Sequence, residues 1–173
     1  MPVLVHPTDP GGPAAADEHA LFAHVGYPLD TTVAIARLIF SGALERFPRV
    51  PWIFYHCGGA APYLRGRWDR GYRSGFPEAP GLSRVPSEYA ASLYFDTLVY
   101  DAATLRFLVQ VVGADRVLTG TDYPYALMAD EDPVGTVRRI PGLKPAARAK
   151  ILGGNAARLF GLTARSVRSP RHP

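Results

Sequence analysis

A chain of 173 residues with 47% hydrophobic and 20% charged side chains is long enough to bury one sizeable core and too apolar to remain disordered. No apolar run approaches the roughly 20 residues needed to span a bilayer, which excludes a membrane-spanning helix. The 19 basic side chains exceed the 15 acidic ones mainly in residues 163–173, where Arg165, Arg168 and Arg171 form a basic tail without aromatic interleaving. Such a tail reads as a frayed polar terminus, and nucleic acid is not an expected partner. The start Met1-Pro2-Val3 carries no basic leader region, and the single Cys57 cannot form an internal disulfide, so a reduced, cytoplasmic protein is expected. Residues 1–162 are expected to form one unit, followed by the tail at 163–173.

Strand and helix signals alternate along the chain, the pattern of a parallel α/β sheet. Val3-Leu4-Val5 reads as the first strand, stopped by His6-Pro7. A loop-rich stretch, opened by Gly11, Gly12 and Pro13, runs to Pro28 with a short helix around residues 14–24. Asp30 is expected to cap a helix whose apolar positions Val33, Ala36, Phe40, Ala43, Leu44 and Phe47 recur at helical spacing, with Pro48 ending it. The second strand, Trp52-Ile53-Phe54-Tyr55-His56, runs into Gly58-Gly59 and a helix over residues 60–72 that holds Pro62 in its first turn.

Residues 71–86 read as an excursion rich in glycine and proline, of a length that is often functional. A third strand, Leu93-Tyr94-Phe95-Asp96, precedes a helix capped by Asp101, carrying Leu105, Leu108, Val109 and Val112 on one face and closed by Gly113. The fourth strand, Arg116 to Thr121, delivers Asp122 into the turn Tyr123-Pro124. Two short helices finish the chain, one with Pro145 in its first turn and one capped by Asn155 and stopped before Gly161.

Three of the four strands thus end on a residue that can bind a metal, His6, His56 and Asp122, and the remaining one ends on Asp96. Polar side chains at the carboxyl ends of parallel strands meet at one mouth of a (β/α) barrel, where such enzymes keep their chemistry. A carboxylate after a buried strand can bind a divalent ion, and an imidazole can do so or carry a proton near neutral pH. The plainer alternatives are an Asx turn at Asp122 and hydrogen-bonded strand-end histidines at His6 and His56.

The motifs around these residues narrow the choice. His56-Cys57-Gly58-Gly59 followed by Pro62, Gly66 and Arg67, then Phe95-Asp96-Thr97, Gly120-Thr121-Asp122-Tyr123-Pro124 and Gly154-Asn155-Ala156-Ala157-Arg158-Leu159-Phe160, resemble the amidohydrolase-related proteins of the aminocarboxymuconate semialdehyde decarboxylase type. The segment from Thr31 to Gly42, ending near Arg46-Phe47-Pro48, fits the same pattern. The resemblance implies a (β/α)8 TIM-barrel fold, a bound divalent ion with zinc ahead of manganese, and a small carboxylic acid substrate.

By that resemblance His6 and Asp122 are metal ligands. His56 is a general acid/base or a ligand to a second metal, and Arg67, eleven positions on, pairs with a substrate carboxylate, sometimes across a dimer interface. Arg65, Arg70 and Arg73 leave a plain solvated basic helix face as the alternative for Arg67. Asp96 with Thr97 is expected to support the site from behind, and Cys57 to pack rather than react.

The family's opening strand carries a His-x-His or Glu-x-His pair, and no such triplet occurs here. A complete barrel takes about 250 residues, so the chain is expected to be the carboxyl-terminal half, with four strands and their crossover helices. The expected function is nonoxidative decarboxylation of a small aromatic or unsaturated carboxylic acid. A metal-dependent hydrolase of an ester, lactone or amide stays open, as does a noncatalytic fragment. A homodimer is the expected assembly, because half a barrel exposes strand edges and its apolar interior.

Overall fold

The computed structural model describes residues 1–9, 18–75, 81–125 and 129–162. The basic tail and residues 14–17 of the short helix expected at 14–24 lie outside them, and the rest of that helix is replaced by a 3-10 turn at Glu18–Ala20 and a π-helical turn at Phe22–Gly26. Three parallel strands form one sheet in the order β1 (Val3–Val5), β2 (Trp52–Phe54), β3 (Tyr94–Phe95). One line of register crosses the sheet, pairing Val5 with Phe54, Phe54 with Phe95, and Phe95 with Val117. Every catalytic candidate follows this line on the carboxyl side, so the parallel pairing brings residues distant in sequence to one edge of the sheet.

The expected fourth strand is a correction. Arg116 closes a 3-10 turn, and only Val117 bridges to β3, with the Leu118 N–H donating to the Phe95 carbonyl at 2.8 Å. Beyond it the backbone takes other partners: the Thr119 N–H donates to the Ile151 carbonyl and the Gly120 N–H to the Thr97 hydroxyl. These contacts replace a ladder, so the segment holds the fourth place in the row without forming a strand. The second strand also stops earlier than expected, at Phe54, and His56 sits in a 3-10 turn.

The crossovers are helical. α1 (Tyr27–Phe40) and α2 (Ala43–Arg46) join β1 to β2, α3 (Ala61–Arg73) and α4 (Pro86–Ser92) join β2 to β3, and α5 (Ala102–Val112) leads to Val117. The first crossover corrects two expectations. The helix starts at Tyr27, which places Asp30 in its first turn rather than at its cap, and it breaks at Ser41 and Gly42. Its buried stripe is Thr31, Thr32, Ile35 and Ile39, whereas Val33 is 44% and Phe47 55% exposed. The two threonines can be buried because their hydroxyls donate to the carbonyls of Tyr27 and Pro28, a satisfaction that apolar spacing does not register.

Ile35 and Ile39 meet Phe54, Phe95, Val117 and Leu105 in the main hydrophobic cluster on the helix-covered face of the sheet. α5 is capped as expected, with the Asp101 carboxylate accepting the Thr104 N–H at 2.7 Å and Gly113 closing it. Three short helices follow: α6 (Pro133–Arg138), α7 (Pro145–Ala149) and α8 (Asn155–Phe160). Asn155 does not cap α8. It is 1% exposed and its amide donates to the carbonyls of Ala114 and Val117, each at 2.7 Å, so it pins the segment that carries Asp122. No helix among the described residues is long and apolar enough to cross a membrane.

Candidate metal and proton-transfer site

His6 directly follows the last residue of β1, and Pro7 behind it cannot continue a sheet ladder. His56 and Cys57 both occupy the left-handed region, with φ of 56° and 52°. Such conformations in residues with a Cβ are costly and persist only where the surroundings hold them. Here the Cys57 N–H donates to Asp96 Oδ1 at 2.9 Å and its thiol donates to the Asp96 carbonyl at 3.3 Å. Gly58 and Gly59 complete the turn with positive φ: a Cβ on the first would lie 2.5 Å from the Phe95 ring, and one on the second would collide with the Pro28 carbonyl. The Gly59 N–H donates to the His56 carbonyl at 2.8 Å, and the His56 imidazole has a partner of its own, its Nδ1 lying 3.3 Å from Thr31 Oγ1.

Asp122, also left-handed with φ 59°, lies in the turn closed by the Tyr125 N–H donating to the Asp122 carbonyl. Its Oδ1 is 3.3 Å from His6 Nε2, with side-chain exposures of 9% and 23% respectively. His6, His56 and Asp122 converge so that one ligand atom of each lies within 4.8 Å of the others. Two donors bound to one ion at about 2.1 Å lie up to about 4.2 Å apart. The cluster therefore fits a divalent ion after a closure of a few tenths of an ångström, with two imidazoles and a carboxylate as its donors.

The surroundings are aromatic. A cavity of about 890 Å³ opens over the cluster, lined on its walls by Phe22, Tyr27, Leu98, Val99, Tyr100 and Tyr125. The Tyr27 ring stacks on His56 at 6.2 Å and 7°, Tyr125 stacks on His6 at 5.8 Å and 1°, and Tyr55 meets His6 edge-on at 4.7 Å. Burial first, and then neighbouring His6, hold His56 below the ordinary imidazole range, against an opposing pull from Asp122. Burial pushes the Tyr100 phenol up to about 12, with Asp122 and Asp96 adding to it.

Asp96 stands behind the site. It is 4% exposed, its Oδ1 accepts the N–H groups of Cys57 and Leu98, and its Oδ2 is buried without a partner among the described residues. Burial raises its carboxyl to about 7, against the lowering effect of those backbone donors. Burial likewise drives the Cys57 thiol well above its ordinary value, which suits packing and not nucleophilic attack.

The structure thus gathers His6, His56 and Asp122. Arg67 lies on an exposed face of α3 and is not among the residues lining the cavity. Thr31 and Tyr27 escaped the sequence reading, although a Thr-Thr pair in the early turns of an apolar helix was a visible signal.

Known proteins are similar to this chain in sequence and in fold. A 2-amino-3-carboxymuconate-6-semialdehyde decarboxylase from Dictyostelium discoideum is 33% identical over 165 residues, covering 92% of this chain and 45% of that protein. The crystal structure of 5-carboxyvanillate decarboxylase from Sphingomonas paucimobilis superposes with a TM-score of 0.82 at 32% identity, covering 92% of this chain and 49% of that one. A dihydroxybenzoic acid decarboxylase from Polaromonas, solved with bound manganese and an inhibitor, gives a TM-score of 0.80 at 28% identity, covering 96% and 52%. The chain spans about half the length of these relatives. The profile of the amidohydrolase family matches residues 1–162, the whole stretch that carries the strands, the crossovers and the three converging side chains, and the chain belongs to that family.

Proposed function

We propose that this chain is the carboxyl-terminal half of a (β/α)8 barrel and supplies half the active site of a metal-dependent, nonoxidative decarboxylase acting on a small aromatic carboxylic acid. The observation that carries the reading is the convergence of His6, His56 and Asp122 beneath an aromatic-walled cavity. Of the decarboxylases it resembles, two are named for aromatic acids, carboxyvanillate and dihydroxybenzoic acid, and one for an unsaturated open-chain acid, an aminocarboxymuconate semialdehyde. His6 and Asp122 would hold the ion, and bound there it would supply Lewis acidity toward an oxygen of the acid. Manganese fits the Polaromonas relative, and zinc fits imidazole and carboxylate donors such as His6 and Asp122.

When carbon dioxide leaves, the electron pair of the broken bond stays on carbon and a proton takes the vacated place. His56 is the proton carrier: held below its ordinary range, it is mostly neutral at pH 7 and surrenders a proton readily once it has one. Tyr27 and Tyr125 offer flat faces to a planar substrate. The exposed Arg67 is available to a carboxylate in the site of a second copy, which gives a homodimer a chemical purpose. A reduced, cytoplasmic setting suits the free, buried Cys57.

A second reading, a noncatalytic half that works only with its complement, is favoured by β1, whose outer edge is unpaired among the described residues and whose Leu4 is 51% exposed. The deciding experiment loads the purified protein with manganese or zinc and follows carbon dioxide release from 5-carboxyvanillate and 2,6-dihydroxybenzoate, beside cleavage of small esters and lactones. Release that disappears on chelation supports the decarboxylase. Ester or lactone cleavage alone would assign a hydrolase, and inactivity toward every substrate, with metal bound, would favour the noncatalytic half.

A further inference from the structure

We infer that Thr31 is a positioning residue that fixes the proton of neutral His56 on Nδ1 and leaves Nε2 as its basic nitrogen. Thr31 is 1% exposed, and its Oγ1 lies between two partners, the Tyr27 carbonyl at 3.0 Å and His56 Nδ1 at 3.3 Å. A hydroxyl has a single proton to give. The Tyr27 carbonyl can only accept, and two oxygens 3.0 Å apart with no proton between them would set lone pair against lone pair. The proton therefore goes to Tyr27, and toward His56 the hydroxyl presents a lone pair. Nδ1 must then carry the hydrogen, because a bare Nδ1 would meet that lone pair with its own.

The geometry has a local origin. Thr31 sits one helical turn beyond Tyr27, so its back-bond to the Tyr27 carbonyl is a helix-internal contact that orients the hydroxyl before His56 arrives. The same Tyr27 lays its ring over His56, so that one turn of α1 sets both the plane of the imidazole and the site of its proton. Partners of this kind, which orient a working histidine through its other nitrogen, commonly change activity or metal affinity 10–100-fold when removed. The role rests on the proposed use of His56 as proton carrier, whereas the tautomer itself can be read without any turnover.

The test is nitrogen-15 NMR of the histidine rings in the metal-free full chain at a pH where His56 is neutral, for wild type, Thr31→Val and Thr31→Ser. The expected result is an Nδ1–H signature for His56 in wild type and in Thr31→Ser, which keeps the hydroxyl. Thr31→Val, which keeps the shape and loses the hydroxyl, should show a mixed or reversed signature, and after manganese loading a roughly tenfold fall in carbon dioxide release that serine restores. An Nε2–H signature in wild type, or an unchanged signature in Thr31→Val, would overturn the inference. Should the valine variant not fold, the wild-type and serine spectra decide alone. An Nδ1–H signature without carbon dioxide release would support the hydrogen-bond assignment and count against the decarboxylase.

Discussion

The Asp96 carboxylate accepts the Cys57 N–H at 2.9 Å from the neighbouring strand end, and by this bond β3 holds the left-handed turn that presents His56. The contact joins residues 39 positions apart and is buried, so it depends on the register that pairs Phe54 with Phe95. Backbone strain at His56 and Cys57 is thus carried by the sheet as well as by the glycines that follow.

Removing the Asp96 side chain tests this directly. Asp96→Ala would leave the N–H groups of Cys57 and Leu98 buried without acceptors, at a cost of about 2–4 kcal/mol. Asp96→Asn keeps an oxygen in the same place and should lose far less. Denaturant midpoints of the two variants measure the difference, and equal losses would show that the bond does not support the turn.

The same carboxyl should mark the pH dependence of stability. Its folded-state value, raised by burial from 3.8 to about 7, keeps the proton on the folded chain across a window in which the unfolded chain has released it. Stability therefore falls as pH rises from about 4 to about 7 and levels off above. In Asp96→Asn this component of the slope should vanish, which thermal melts of both proteins across the window would reveal.

The meeting of His6, His56 and Asp122 was legible because parallel chain segments deliver their carboxyl ends to one edge of the sheet, whatever lies between them. Asp101 and Gly113 were legible because a helix cap is a local matter. The left-handed turn at His56 and Cys57 was not, since residues with a Cβ rarely adopt it and Asp96, which supports it, is distant in sequence. Nor was the loss of the fourth strand: Val117, Leu118 and Thr119 have strand composition, and only the competing carbonyl of Ile151 and hydroxyl of Thr97 divert their ladder. The buried face of α1 was misjudged for a related reason, its threonines being satisfied within the helix.

The metal prediction follows from the 3.3 Å approach of His6 to Asp122. With its complement present, the wild-type protein should hold about one divalent ion per site, and Asp122→Ala should lose most of it. Elemental analysis after dialysis reads the outcome directly. Equal metal in the two proteins would remove Asp122 from the ligand set.

His56 separates binding from chemistry. If His6 and Asp122 hold the ion while His56 moves the proton, His56→Ala should retain metal and lose turnover by on the order of a hundredfold. The depressed imidazole range adds a direction to the pH profile: the limb assigned to His56 should lie below the ordinary value near 6.5, because burial and His6 both disfavour its charged form. Rate against pH, with metal content measured on the same samples, distinguishes the cases. Wild-type turnover in His56→Ala would end its role as proton carrier, whereas loss of metal along with turnover would place His56 among the ligands, as in a two-metal hydrolase.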